Sequence, residues 1–210
     1  MGYKIIVNLT LFIIILTGCS NELTMDTPST TTIDIEESEK LIEKEVHEIM
    51  SKSTSDFRTN SDFFEIKGNI FPSEYEERDL ITIEVIINKP VETMNNLGAT
   101  FALNDNILTY LHTPRPYNSN IWGDKPTITP EIKKESDNLG LTIGKAFEII
   151  PDDHPYKYKE FNKEVFLDIL RDIRVKITWE NDDKEVFTEY IKLDSETIEI
   201  DEGILDFYTD

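Results

Sequence analysis

Ile81, Ile83, Val85 and Ile87 occupy every second position of residues 80–88, and this period of two constrains the fold more than any other feature of the chain. Successive side chains of an extended strand point to opposite faces, so these four share one face; in a helix they would scatter around the axis. The run 63–71 repeats the pattern with Phe64, Ile66, Gly68 and Ile70. Both runs are β-branched or aromatic in character, and the polar link 72–79 with its Pro72 separates them as expected of paired strands. Gly68 is the expected position of a bulge.

Further strands are expected at 100–103, 107–112, 141–150 and 174–180, where Val175, Ile177 and Trp179 alternate with Lys176, Thr178 and Glu180. Asn181-Asp182-Asp183-Lys184 reads as a hairpin loop into a strand over 185–193, because Asn and Asp tolerate left-handed backbone. A terminal strand is expected over 197–200.

Two segments follow a helical period instead. Over 34–52, Ile35, Leu41, Ile42, Val46, Ile49 and Met50 gather mostly on one face, with Asp34 and Glu37 spaced as an N-cap and its capping-box partner. From the N-cap candidate Asn162, a second helix should bury Val165, Phe166, Ile169, Leu170 and Ile173, end near Asp172, and be stapled by Phe161 against Phe166. The polar, Pro-rich segment 114–138 matches no element. Short strands and two helices without regular alternation predict an α+β, mainly β domain over 34–210. Its expected form is an antiparallel sheet or β-sandwich-like body with an N-terminal amphipathic helix and one further helix.

Charge narrows the function classes. Lys and Arg number 21 against 42 Asp and Glu, a net charge of -21 that repels rather than attracts a nucleic acid. Hydrophobic residues make up 39%, too many for a disordered acidic chain. The single Cys excludes an intramolecular disulfide and a Cys-cluster zinc site.

That Cys has a particular place. Lys4 is the one charged side chain of residues 1–18, and the apolar run 5–16 is shorter than the roughly 20 residues a membrane span needs. It reads as the charged and apolar regions of a secretion signal. At its end, Leu16-Thr17-Gly18-Cys19 resembles the lipobox of bacterial prolipoproteins: an aliphatic residue, a small residue, Gly or Ala, then Cys. The resemblance is confined to this segment. It implies diacylglyceryl transfer to the Cys19 thiol and cleavage between Gly18 and Cys19. The expected organisation is a signal peptide at 1–18, a lipidated Cys with a flexible tether at 19–33, and one globular domain at 34–210. Loss of Lys4 with the signal takes the charge from -21 to -22. Anionic head groups repel such a body, so covalent lipid must hold it to the membrane, and two acyl chains make a stable anchor where one does not.

Catalytic templates find little. His47-Glu48 opens like the zinc-protease helix motif, but Ser51 stands where the second His belongs. Gly140-Leu141-Thr142-Ile143-Gly144-Lys145-Ala146 is one residue short of a phosphate loop and lacks its Ser or Thr. No Gly-x-Ser-x-Gly elbow is present. Asp152, Asp153 and His154, between Pro151 and Pro155, form a candidate loop for a divalent ion, with a solvated turn as the plainer reading. The loop 113–124 carries Arg115, Tyr117 and Trp122, residue types enriched in recognition surfaces, although aromatics in long connections more often pin the loop to the core.

These readings converge on a lipid-anchored protein of the extracytoplasmic face of the cell membrane with a non-enzymatic binding or accessory domain. Its expected partners are the membrane, through the anchor, and an envelope protein or cell-wall component; no cofactor and no nucleic acid are expected. The alternative is a cell-envelope hydrolase with an acidic or metal-assisted site.

Overall fold

The two alternating runs become the longest strands, β1 (Glu65–Tyr75) and β2 (Arg78–Asn88), paired antiparallel without a break from Glu65↔Asn88 to Tyr75↔Arg78. A computed structural model of the chain describes residues 35–208 apart from 77, 114, 122, 124, 136 and 151–160. The anticipated link 72–79 is mostly strand. Pro72 sits in β1 opposite Ile81, beyond the last residue of β1 that has a partner on its other side, so its missing N–H breaks no ladder. Gly68 makes no bulge, since its register with Val85 is regular. It marks a close approach: a Cβ there would lie 3.0 Å from Leu193 Cδ1.

The remaining elements are α1 (Ile35–Ser51), β3 (Asn95–Leu103), β4 (Leu111–His112), β5 (Tyr117–Ser119), β6 (Gly140–Ile149), α2 (Lys163–Leu170), β7 (Ile173–Glu180), β8 (Val186–Lys192) and β9 (Ile198–Ile200). The order is β4-β6-β2-β1-β9 in one sheet and β5-β3-β7-β8 in the other. Adjacent strands are antiparallel except β1 and β9, which are parallel. The architecture is α+β and mainly β.

The inward residues of both sheets meet in one core. Ile81, Ile83, Val85 and Ile87 from β2 share it with Leu97, Ala99 and Phe101 from β3 and with Val175, Ile177 and Trp179 from β7. Two aromatic clusters extend it. Trp179 stacks on Phe187 at 5.3 Å beside Phe63 and Phe64, while Phe161 stacks on Tyr208 at 4.1 Å beside Tyr110 and Phe166.

Local chemistry explains several boundaries. Asn162 caps α2 by accepting from Val165 N at 3.0 Å, and the Phe161 and Phe166 rings lie 5.5 Å apart, as a staple requires. Val165, expected in the buried stripe, is instead exposed; Phe166 and Leu170 alone are fully buried on this short helix. The left-handed residue of the 181–185 hairpin is Lys184, while Asn181 organises the turn by accepting from Asp183 N and Glu185 N. The strand expected at 107–112 is a 3-10 helix, Asp105–Thr109, followed by the two residues of β4. The unassigned segment contains β5, and a further 3-10 helix, Glu202–Tyr208, lies near the C-terminus.

Candidate functional site

The outward face of the β5-β3-β7-β8 sheet is the most chemically distinctive surface described. Register places Ser119 opposite Thr100, Thr100 opposite Lys176, and Lys176 opposite Tyr190. One polar row therefore crosses all four strands: two hydroxyls, an ammonium and a phenol. The flanking row is Tyr117, Ala102, Arg174 and Lys192. In a chain of charge -21, three of the outward positions on β7 and β8 are thus cations.

Helix α1 lies on this face, against β3 and β7. Glu45 and Glu48 are one turn apart, and both reach Lys176: its Nζ is 2.9 Å from Glu45 Oε1 and 2.9 Å from Glu48 Oε2. Tyr190 donates its phenolic proton to the other Glu48 oxygen. Thr100 donates to Glu45 at 3.4 Å and shares a 2.6 Å hydrogen bond with Ser119. Lys52, just past the helix, sits 3.9 Å over the Tyr190 ring.

Electrostatics reinforce the arrangement. The Tyr190 hydrogen bond, followed by that from Lys176, holds the Glu48 carboxyl below its ordinary range, against a smaller opposing effect of burial. Burial disfavours the Lys176 charge, but hydrogen bonds to Glu45 and Glu48 outweigh it and raise its pKa. Burial and the bond to Glu48 push the Tyr190 phenol up to about 12. Beyond the row, Asp172 accepts from Arg174 at 3.1 Å and lies 3.1 Å from Lys192; burial pushes its carboxyl up, and these cations more than reverse that.

The apolar contact of the helix lies apart from the core between the sheets. Ile49 is fully buried, yet neither it nor the half-buried Ile42, Val46 and Met50 belongs to the shared core. Burying one Ile side chain contributes roughly 1.5–3 kcal/mol. The charged groups add to this apolar contact and fix where α1 sits on the sheet.

Arg115 and Tyr117 stand at the rim of the row. Arg115 Nη2 pairs with Glu39 of α1 at 2.8 Å. Tyr117 is half-buried on β5, and burial raises its pKa. Lys145 of β6 donates to the carbonyls of Arg115 at 2.5 Å and Tyr117 at 3.3 Å, and Asn118 donates to Gly144 O at 2.6 Å. These bonds stitch the edges of the two sheets together, so this part of the loop is pinned. Burial, followed by the nearby Arg115, lowers the Lys145 pKa.

Trp122, Asp152, Asp153 and His154, like Gly18 and Cys19, lie outside the described residues. His47 is exposed on α1. Among the described residues, no group of three or more His, Cys, Asp or Glu is placed to hold a metal ion, and no helix is long and apolar enough to cross a membrane.

Glu189 is the other unusual acid. It opposes Ile177 and shares the inward face of β8 with Phe187 and Ile191. It is 9% exposed; Oε1 accepts from Arg58 at 3.2 Å, and buried Oε2 has no hydrogen-bond partner among the described residues. An inward charge on an edge strand disfavours pairing with another chain. Arg58 adds to that protection by exchanging backbone bonds with Tyr190 O and Lys192 N along the same edge.

Sequence reasoning missed Glu45, Glu48, Thr100, Lys176 and Tyr190 as a group. No local motif joins them, and only the strand register reveals the row. No protein-family model matches the chain, and no curated protein does.

Proposed function

We propose that the chain is a bacterial lipoprotein, anchored through Cys19 to the extracytoplasmic face of the cell membrane and carrying a non-enzymatic binding or accessory domain. In this reading the two sheets are a sandwich-like body, and α1 is its N-terminal amphipathic helix. The observation that carries the proposal is the position of the single cysteine: Leu16-Thr17-Gly18-Cys19 stands at the end of a 5–16 apolar run that is too short to span a bilayer. The polar row supports binding rather than turnover. Lys176 and Tyr190 are directed at carboxylates of α1, which suits the holding of charge and not the transfer of a proton. Its partner class is an envelope protein or a cell-wall component.

Metabolic labelling with a radioactive fatty acid in a bacterial host tests the anchor. Label should appear on the unaltered protein and vanish in Cys19→Ala, with the variant released from the membrane fraction. Label persisting in Cys19→Ala sinks the proposal.

A further inference from the structure

The outward row of the four-stranded sheet is a carboxylate-accepting surface, and α1 fills it in the manner of a ligand. Three glutamates of the helix meet three donors of the body: Glu39 with Arg115, Glu45 with Lys176, and Glu48 with both Lys176 and Tyr190. Thr100 adds a hydroxyl to Glu45. A helix built permanently into a fold normally joins its apolar stripe to the core. Here the four described apolar residues facing the body, Ile42, Val46, Ile49 and Met50, stay outside the shared core. On the face beneath the helix, Thr100 and Lys176 are at least nine-tenths buried beside the 1% exposed Ala102, so buried polar groups form part of its seat.

We infer that α1 is a detachable strap over a docking surface, and that the surface takes an acidic helical segment of a partner protein when the strap lifts. Charge complementarity fixes the chemistry of the occupant. The row offers an ammonium, a phenol and two hydroxyls, with Arg115 at its rim. Carboxylates one helical turn apart, as Glu45 and Glu48 are, span adjacent strands of such a row. Displacement of the strap is then an exchange of like for like. This inference uses only the domain's own residues and stands whether or not Cys19 carries lipid.

Hydrogen exchange on the full folded chain tests the strap. Amides of α1 should exchange at least ~100-fold faster than those of Ile81, Ile83 and Val85 in β2, as expected for a unit that opens without global unfolding. Raising salt from 50 to 500 mM should widen that gap modestly, through the half-exposed Arg115–Glu39 pair, because the buried Lys176–Glu45 pair is screened much less. Lys176→Met should speed exchange in α1 and leave β2 unchanged. Exchange of α1 and β2 in step, in the unaltered protein at both salts, overturns the strap.

The docking half uses the charge-reversed variant Glu45→Lys/Glu48→Lys and a fluorescent peptide of residues 35–51 as the acidic probe. With β2 still protected, the variant should bind the peptide at least ~10-fold more tightly than the unaltered protein does, since the unaltered surface is already filled in cis. Equal or absent binding by a folded variant overturns the assignment of the surface.

Discussion

The inward and outward faces of the β5-β3-β7-β8 sheet are made by alternate residues of the same strands, yet they are held by different forces. Inward, Phe101, Val175, Ile177 and Trp179 are at most 1% exposed and belong to the apolar core, with Glu189 the one buried acid on that face among the described residues. Outward, Thr100 and Lys176 are also buried, but they meet the carboxylates of α1. The inward face is stabilised by removal of apolar area from water, which salt and pH hardly alter. The outward face depends on charges whose desolvation nearly offsets their attraction. Depth of burial alone therefore does not say how firmly an element is held; the chemistry of the contact does.

The largest effect should come from breaking the inward face. Phe101 is fully buried between the sheets and among the largest buried side chains described. Phe101→Ala removes its transfer free energy and leaves a cavity that the flanking strands cannot close, at about 3–5 kcal/mol. Chemical denaturation should show the whole cooperative transition shifted, with its salt dependence unchanged. A loss below about 1 kcal/mol would mean the core is looser there than the buried side chains imply.

The outward face should instead answer to pH, with a sign fixed by its members. Glu48 has its folded pKa depressed below the ordinary 4.5, so its stabilisation is full above that value and is lost as pH falls through the depressed one. Lys176 and Tyr190 have folded pKa values raised above the ordinary 10.5 and 10.0, Tyr190 to about 12. Their contribution is full below the ordinary values and is lost as pH rises through the raised ones. Seating of α1 should thus be strongest from about pH 5 to pH 10. The pH dependence of exchange, corrected for intrinsic rates, should weaken protection in α1 at both ends while β2 keeps its own. A flat α1 profile across pH 3–6 would remove Glu48 from the account.

The two faces were also unequally legible in the sequence. Alternation in β2 and β7 announces strands because β-branched and aromatic side chains fall at every second position, and the same pattern tells which residues are inward. Lys176 is one of the polar members of that pattern, which ordinarily means solvent. That it lies beneath Glu45 and Glu48 follows from contacts spanning more than a hundred residues, for which no local signal exists. The misread strand at 107–112 has a local cause. Asn104 accepts from Asn106 N and starts a tight helical turn, and Ile107 and Tyr110 are buried three residues apart rather than two. Residue type alone marks Arg115 and Tyr117, and the fold places them at the rim of the row. Their observed partners, Glu39 and the Lys145 ammonium, come from α1 and β6, which the loop's own sequence does not indicate.

The smallest effect sharpens the comparison within a single helix. Glu36 and Lys40 lie on α1 one turn apart, 2.7 Å between Oε1 and Nζ, with side chains 79% and 70% exposed. Their separation is no longer than that of Lys176 from Glu45, which is 2.9 Å with side chains 11% and 19% exposed. If distance governed the contribution, the two pairs would matter alike. Solvent screening and the entropy of fixing two long side chains predict otherwise: an exposed i,i+4 pair contributes about 0.3–0.5 kcal/mol. Glu36→Gln should therefore leave exchange in α1 within about twofold of the unaltered protein, whereas Glu45→Gln should accelerate it several times more and with little dependence on salt. An equal response to the two substitutions would show that α1 is held by its general helical charge and not by the row beneath it.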